Sequence, residues 1–418
     1  MRAIITVGLG FGDEGKGATV DFLARKLRAE VVVRYCGGAQ AGHNVELASG
    51  ARHTFSQFGA GTLAGAGTYL GPRMIICPST LPPEADHLSQ LGVKDPMQTL
   101  TAHPDCLVST SYHISMNRLR ERARGDGRHG SCGLGIGEAR HYWLRYGQDA
   151  IVAGDLRDPR ALTAKLALLR DRFLQEMQQL PHLNESFAAA IHETHPAQEA
   201  DNLQRDSDGL SLSRRIPKAE IILFEGAQGA LLDEWLGFHP YTTWSTVTPH
   251  HAWELIEEHE IENVTVLGLT RAYTTRHGTG PFPTFDPEMT QAIEDPGNPE
   301  NAWQGAIRSG PLDFMLLRYA VAACGIDGLV VNCLDQVPNA VPICPRYEDG
   351  VELERPRRLK DQEQLTARLE SARPVIETVS REELLSRLAE LAPIVIEAEG
   401  PMPFARQFTR GQTVLRLR

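Results

Sequence analysis

The sequence predicts an α/β protein built on a large, mostly parallel central β-sheet with surrounding helices and long loops. Three observations predict it. Short runs rich in Val, Ile and Leu recur between glycines, without the apolar–polar alternation of a half-exposed sheet. Segments with apolar residues at helical spacing lie between several of those runs. A glycine-rich loop joins the first run to the first helical segment, the start of a strand–helix alternation.

Taken in order, "AIITVGLG" is a strand, "GKGATVDFLARKLRAE" a helix that starts from the glycines, and "EVVVRYCGG" the next strand. "TYLGPRMIIC", "EIILFEGAQG", "NVTVLGLTRAY" and "IDGLVVNCLD" are further strands, each suited to burial on both faces. "DPRALTAKLALLRDRFLQEMQQL" and "PLDFMLLRYAVAACG" are helices. Residues 196–215 are polar enough for a loop, and residues 285–304 combine acidic, proline and asparagine residues. Neither reads as an interdomain linker, and no repeat is present, so residues 1–418 are expected to form a single domain with elaborate loops.

The chain has 418 residues, 42% of them hydrophobic, enough to bury a sizeable core. Its formal charge of -11 argues against broad attraction to nucleic acid or an anionic membrane, although runs such as "RLRERARGDGRHG" suit single phosphates. Small anions are therefore the expected partners. The start "MRAIITVGLG" has no leader pattern, and no apolar stretch reaches roughly 18 residues, so a cytoplasmic protein is expected. Seven cysteines without a C-x-x-C pair point to reduced thiols rather than disulfides or zinc.

The loop "GLGFGDEGKGATV" nearly spells the phosphate-binding pattern G-x-x-x-x-G-K-[ST], but Gly17 stands where a magnesium-binding hydroxyl is usual. It also carries Asp13 and Glu14 beside a phosphate cradle, where a carboxylate without a chemical role would be repelled. Read alone, Asp13 also suits a helix cap, His43 a structural histidine, and Gln228 and Thr243 solvated loop positions.

Together with "RYCGGAQAGHN", "FEGAQGALLD" and "TRAYTTRHGTGPFPT", this loop resembles the adenylosuccinate synthetase family over nearly the whole chain. The resemblance implies that family's fold, related to P-loop NTPases. It also implies a carbon–nitrogen ligase that phosphorylates the 6-oxo group of a purine nucleoside monophosphate and replaces it with an amine. GTP, or ATP, would be the co-substrate and Mg2+ the metal. A poor lactam leaving group needs this prior phosphorylation, which gives Asp13 a role, because it matches the aspartate that takes the ring N1 proton and contacts magnesium. His43 matches the histidine that stabilises charge between the β- and γ-phosphates, and Lys16 would neutralise phosphate.

Gly12, Glu14, Gly15 and Gly17 would line the triphosphate loop, and the Gly42 carbonyl would be a further magnesium ligand. Gln40, Cys132, Gln228 and Thr243 fall where the family holds the nucleoside monophosphate, Cys132 in place of a threonine. Arg145, with Arg140 as a rival, matches an arginine that reaches into a partner subunit, so a homodimer is expected.

Two departures stand out. The family's guanine-reading Thr-Lys-x-Asp is Asn332-Cys333-Leu334-Asp335, which keeps the carboxylate and loses the lysine. Its Thr-Thr-Thr-Gly-Arg-x-Arg-Arg amino-donor loop is "AWQGAIRSG", where Arg308 keeps one arginine, Ala306 replaces another, and Trp303 and Gln304 replace threonines. Arg271 and Arg276 are candidates to supply the missing charge. The main expectation is adenylosuccinate or an analogue as product. The alternatives are a different amino donor, a purine deoxynucleotide such as dGMP with ATP, or a catalytically silent nucleotide-binding regulator.

Overall fold

The structure is a computed structural model that describes residues 1–125, 131–180, 185–293, 306–348 and 350–409. They fall into two compact units. The first is formed by Met1–Glu30, His43–Thr54 and the chain from Ala219 onward, the second by Val31–Gly42 and Phe55–Lys218.

In the first unit, strands run side by side in the order Arg406–Phe408, Ile394–Ala398, Gly328–Asn332, Asn263–Arg271, Arg2–Gly8 and Ile221–Glu225. All neighbours are parallel except the Arg406–Phe408 edge, which pairs antiparallel with Ile394–Ala398. From Ala3 to Gly8 the central strand is buried at every residue, which explains why its sequence is apolar except at Thr6. The ends of these strands lead into "GLGFGDEGKG", "GAQG" and "NCLD", so the parallel register gathers three of the expected loops at one edge.

In the second unit, strands Val31–Arg34, Gly67–Leu70, Leu100–Ala102 and Ser211–Leu212 pair in parallel. Its longest helix, Pro159–Met177, begins at Asp158, whose carboxylate accepts from the amides of Arg160 at 3.0 Å and Ala161 at 3.1 Å. Both units thus have the α/β, mostly parallel character expected.

Three local expectations are corrected. Only the second half of residues 196–215 is largely loop: Pro196–Asp206 is a helix that buries Pro196, Glu199, Ala200 and Leu203. Its polar composition hides a buried stripe at i, i+3, i+4 and i+7 that is apolar except at Glu199, with Pro at the first helical position. "TYLGPRMIIC" is not one strand; Gly71-Pro72 breaks it into Gly67–Leu70 and Ile75–Ile76. The expected helix in "PLDFMLLRYAVAACG" starts only at Phe314, where Asp313 caps it. All seven cysteines are free thiols, as expected. No helix among the described residues is long and apolar enough to cross a membrane.

Candidate active site

The loop after the Arg2–Gly8 strand coils tightly, with positive φ at Gly12 (97°), Asp13 (64°) and Gly15 (81°). Glu14 turns inward. One carboxylate oxygen accepts from the amides of Gly10 at 3.0 Å and Gly12 at 2.8 Å, and the other from the Lys16 ammonium at 2.7 Å. Both side chains are almost sealed from solvent, so losing either would strand a buried charge, at a cost of about 3–5 kcal/mol. The Asn332 amide donates to the Glu14 carbonyl at 2.7 Å and steadies the same turn.

Asp13 is different. Its carboxyl makes no hydrogen bond among the described residues, and it does not cap the following helix, which starts from Gly15 without a side-chain cap. Arg271 donates through Nε to the Asp13 backbone carbonyl and through Nη1 to the Tyr273 hydroxyl at 2.8 Å, so it fixes the main chain that carries the carboxyl. Burial raises the Asp13 carboxyl above the usual range; the Arg271 and His277 charges oppose it, Glu14 adds to it, and Lys16 opposes it.

His43 opens the strand His43–Glu46, and its Nδ1 lies 2.5 Å from a carboxylate oxygen of Glu225 at the end of Ile221–Glu225. Glu225 is fully buried and a carboxylate only accepts, so Nδ1 carries the proton. The same strand explains Gly17. A Cβ there would meet the His43 Cβ at 2.7 Å and its backbone carbon at 2.8 Å, so the usual Ser or Thr does not fit. Gly17→Ser is expected to lower the melting temperature and displace His43; an unchanged melting curve with full turnover would refute this.

Gln228, with φ of 58°, donates from its amide to the Thr243 hydroxyl at 3.2 Å, so the structure brings these two expected residues together. The Gln228 carbonyl oxygen is buried with no partner among the described residues. Beside them Gly229 passes so close to the first loop that a Cβ would meet the Gly10 oxygen at 2.2 Å. Cys333 has φ of 59°, and Asp335 is exposed on the turn Leu334–Gln336.

Arg308 donates to the carbonyls of Gly278 at 2.6 Å and Gly280 at 3.3 Å and lies near the rings of Phe282 and Phe285. Its cross-strand partner Arg276 is 1% exposed, donates to the carbonyls of Thr279 and Pro281, and is pushed by burial to about 9. Neither guanidinium is held by a carboxylate among the described residues. Trp303 and Gln304 lie outside the described residues.

Gln40, Gly42, Cys132 and Arg145 belong to the second unit. The Gln40 side-chain oxygen is buried without a partner among the described residues. Burial pushes the Cys132 thiol to about 11, so it keeps its proton. Gly135, with φ of 71°, starts the helix Ile136–Tyr146 so close to His113 that a Cβ would meet its carbonyl carbon at 2.6 Å. Arg145 pairs with Glu176 at 2.8 Å, and Arg140 lies over the Trp143 ring.

Sequence reasoning missed Glu225 and the Asn332 contact, and it gave Arg271 a different role. A signal for Glu225 existed: an acid closing the otherwise apolar run "IILFE" is a buried charge in need of a partner.

The chain matches the adenylosuccinate synthetase family over residues 5–397. The adenylosuccinate synthetase of Neisseria gonorrhoeae (strain ATCC 700825 / FA 1090) is 34% identical over 359 residues, 83% of this chain and 81% of that protein. That of Rhodococcus erythropolis (strain PR4 / NBRC 100887) is 33% identical over 358 residues, 84% and 82% of the two chains. In fold, the chain resembles the fully ligated adenylosuccinate synthetase of Plasmodium falciparum, with a TM-score of 0.75 at 20% identity and coverage of 98% and 100%. It also resembles the cyanophage S-2L succinoaminodeoxyadenylate synthetase bound to dGMP and dATP, with a TM-score of 0.60 at 17% identity and coverage of 99% and 97%. The match along nearly the whole sequence, together with relatives above 30% identity, establishes that the chain belongs to the adenylosuccinate synthetase family of carbon–nitrogen ligases.

Proposed function

We propose that this chain phosphorylates the 6-oxygen of a purine nucleoside monophosphate with a nucleoside triphosphate and then exchanges that oxygen for an amine. The observation that carries the reading is the Asp13 carboxyl, hydrogen-bonded by no group among the described residues and raised by burial, in a loop whose other acid is fully engaged. As a base it takes the N1 proton, and the 6-oxygen attacks the γ-phosphorus; an amine then displaces the phosphate at C6. A raised carboxyl is the better base at neutral pH. His43, aligned by Glu225, presents Nε2 to the charge that develops as the phosphoryl group leaves.

Magnesium takes hard oxygen ligands, and the unclaimed Asp13 carboxylate meets that requirement; the resemblance adds the Gly42 carbonyl. Bound there, the metal would offset phosphate charge. Gln228 and Thr243 hold the monophosphate. Cytoplasmic location and a homodimer, with Arg145 reaching across, belong to the same proposal. Orthophosphate release that requires purine monophosphate, nucleoside triphosphate and amine together tests the reading, because a silent regulator releases none.

GTP is the expected co-substrate through Asp335, whose carboxylate accepts the N1 and N2 protons of guanine. Asp335→Asn, which presents an amide donor there, is expected to narrow the ratio of kcat/KM for GTP over ATP by roughly tenfold or more. A wild-type preference for ATP would contradict this base reading.

The amino donor is the open part of the site. Ala306 supplies no charge, and Arg308 and Arg276 are both engaged by carbonyls of residues 278–281. A dicarboxylate is normally held by paired charge-assisted bonds, each worth about 1.5–3 kcal/mol. The donor therefore carries at most one carboxylate or is a different amine. Competition among aspartate, other amino acids and simple amines checks this; kcat/KM for aspartate far above every other donor would refute it.

A further inference from the structure

His277 ends the strand Thr274–His277, and the preceding residue, Arg276, forms a parallel bridge with Phe11. The bridge runs His277 alongside the Gly12–Asp13 turn. Arg276 and Arg308 are cross-strand partners and share one face of their two-stranded ribbon, where both are spent on loop carbonyls. His277 alternates to the opposite face. There its charge acts on the Asp13 carboxyl, and its Nε2 is buried with no hydrogen-bond partner among the described residues. Buried ring nitrogens are normally paired, and an orphan on the strand that bridges to the Asp13 loop is what a site shaped for a bound partner leaves behind.

We propose that His277 contacts the substrate, its Nε2 hydrogen-bonding the base edge of the 6-oxopurine nucleotide whose N1 proton Asp13 removes. The inference rests on the reading of Asp13 given above. A carboxyl that reaches N1 lies near the plane of the ring, so a polar atom on the strand bridged to its loop can meet the adjoining position of the same edge. The monophosphate end is already provided for by Gln228 and Thr243, which pair with each other.

Equilibrium binding to the intact protein tests this with two nucleotides, inosine monophosphate and purine riboside monophosphate; the second lacks both the 6-oxygen and the N1 proton. His277→Ala is expected to weaken inosine monophosphate by about five- to tenfold while purine riboside monophosphate changes by less than about twofold. His277→Gln, with polar atoms at similar reach, restores most of the lost affinity. Unchanged affinity for inosine monophosphate, or an equal loss for both nucleotides in both variants, overturns the proposal and leaves His277 a strut of the ribbon. If the unaltered protein binds neither nucleotide, the reading of Asp13 fails first and this inference with it.

Discussion

Asp13→Asn is expected to lower turnover by roughly 10²- to 10⁴-fold while a purine nucleoside monophosphate still binds. The amide fills the same space and cannot take a proton, and no hydrogen bond within the described residues depends on the carboxylate, so the loss falls on the chemical step. Folding should be little affected, because Glu14 and Lys16 build the loop. The pH dependence follows from the direction of the shift. Burial raises the Asp13 carboxyl, and only its ionised form is a base, so kcat/KM should fall as pH drops through a value above the ordinary aspartate range. In Asp13→Asn that acid limb should disappear from the residual activity. Near-wild-type turnover in the variant would defeat the assignment.

The second large effect lies in the His43–Glu225 pair. His43→Ala removes the group proposed to face the transferring phosphate and is expected to reduce kcat by roughly 10²- to 10³-fold. Glu225→Gln leaves the imidazole in place but exchanges a strict acceptor for an amide that also donates, so the Nδ1 proton is no longer fixed. A carboxylate that aligns a catalytic imidazole in this way is worth on the order of 10² or more in kcat, with little change in KM. Steady-state kinetics on a Glu225→Gln variant with wild-type thermal stability would check it. If kcat is unchanged, the short contact serves folding and His43 works without it.

Much of this was legible in the sequence, for physical reasons that differ from element to element. The run at residues 3–8 is read easily because burial on both faces leaves it apolar but for Thr6, whose hydroxyl donates to the Phe224 carbonyl at 3.1 Å. The helix Pro196–Asp206 was not, because its buried stripe includes Glu199, whose carboxylate accepts from the Ser111 amide at 2.8 Å. A charged residue on a buried face looks like a loop residue until its partner is known. The first loop showed an acidic pair, but nothing in "GDEGKG" separates the acid that braces the loop from the acid left free. That division is made by positive φ at Asp13 and by two amides that converge on Glu14. Gly17 was visible as a departure from the phosphate-loop pattern, while its cause, the crossing strand of His43, is a long-range contact. Arg308 was found from the resemblance, yet its engagement by Gly278 and Gly280 required the fold.

The central claim is that the 6-oxygen of the purine becomes a phosphate ester before it leaves. A purine nucleoside monophosphate carrying heavy oxygen only at its 6-position, turned over with unlabelled triphosphate and an accepted amine, tests it in one mass spectrum of the orthophosphate released. The account predicts one heavy oxygen in each phosphate formed with product; phosphate free of label, with aminated product accumulating, would contradict it.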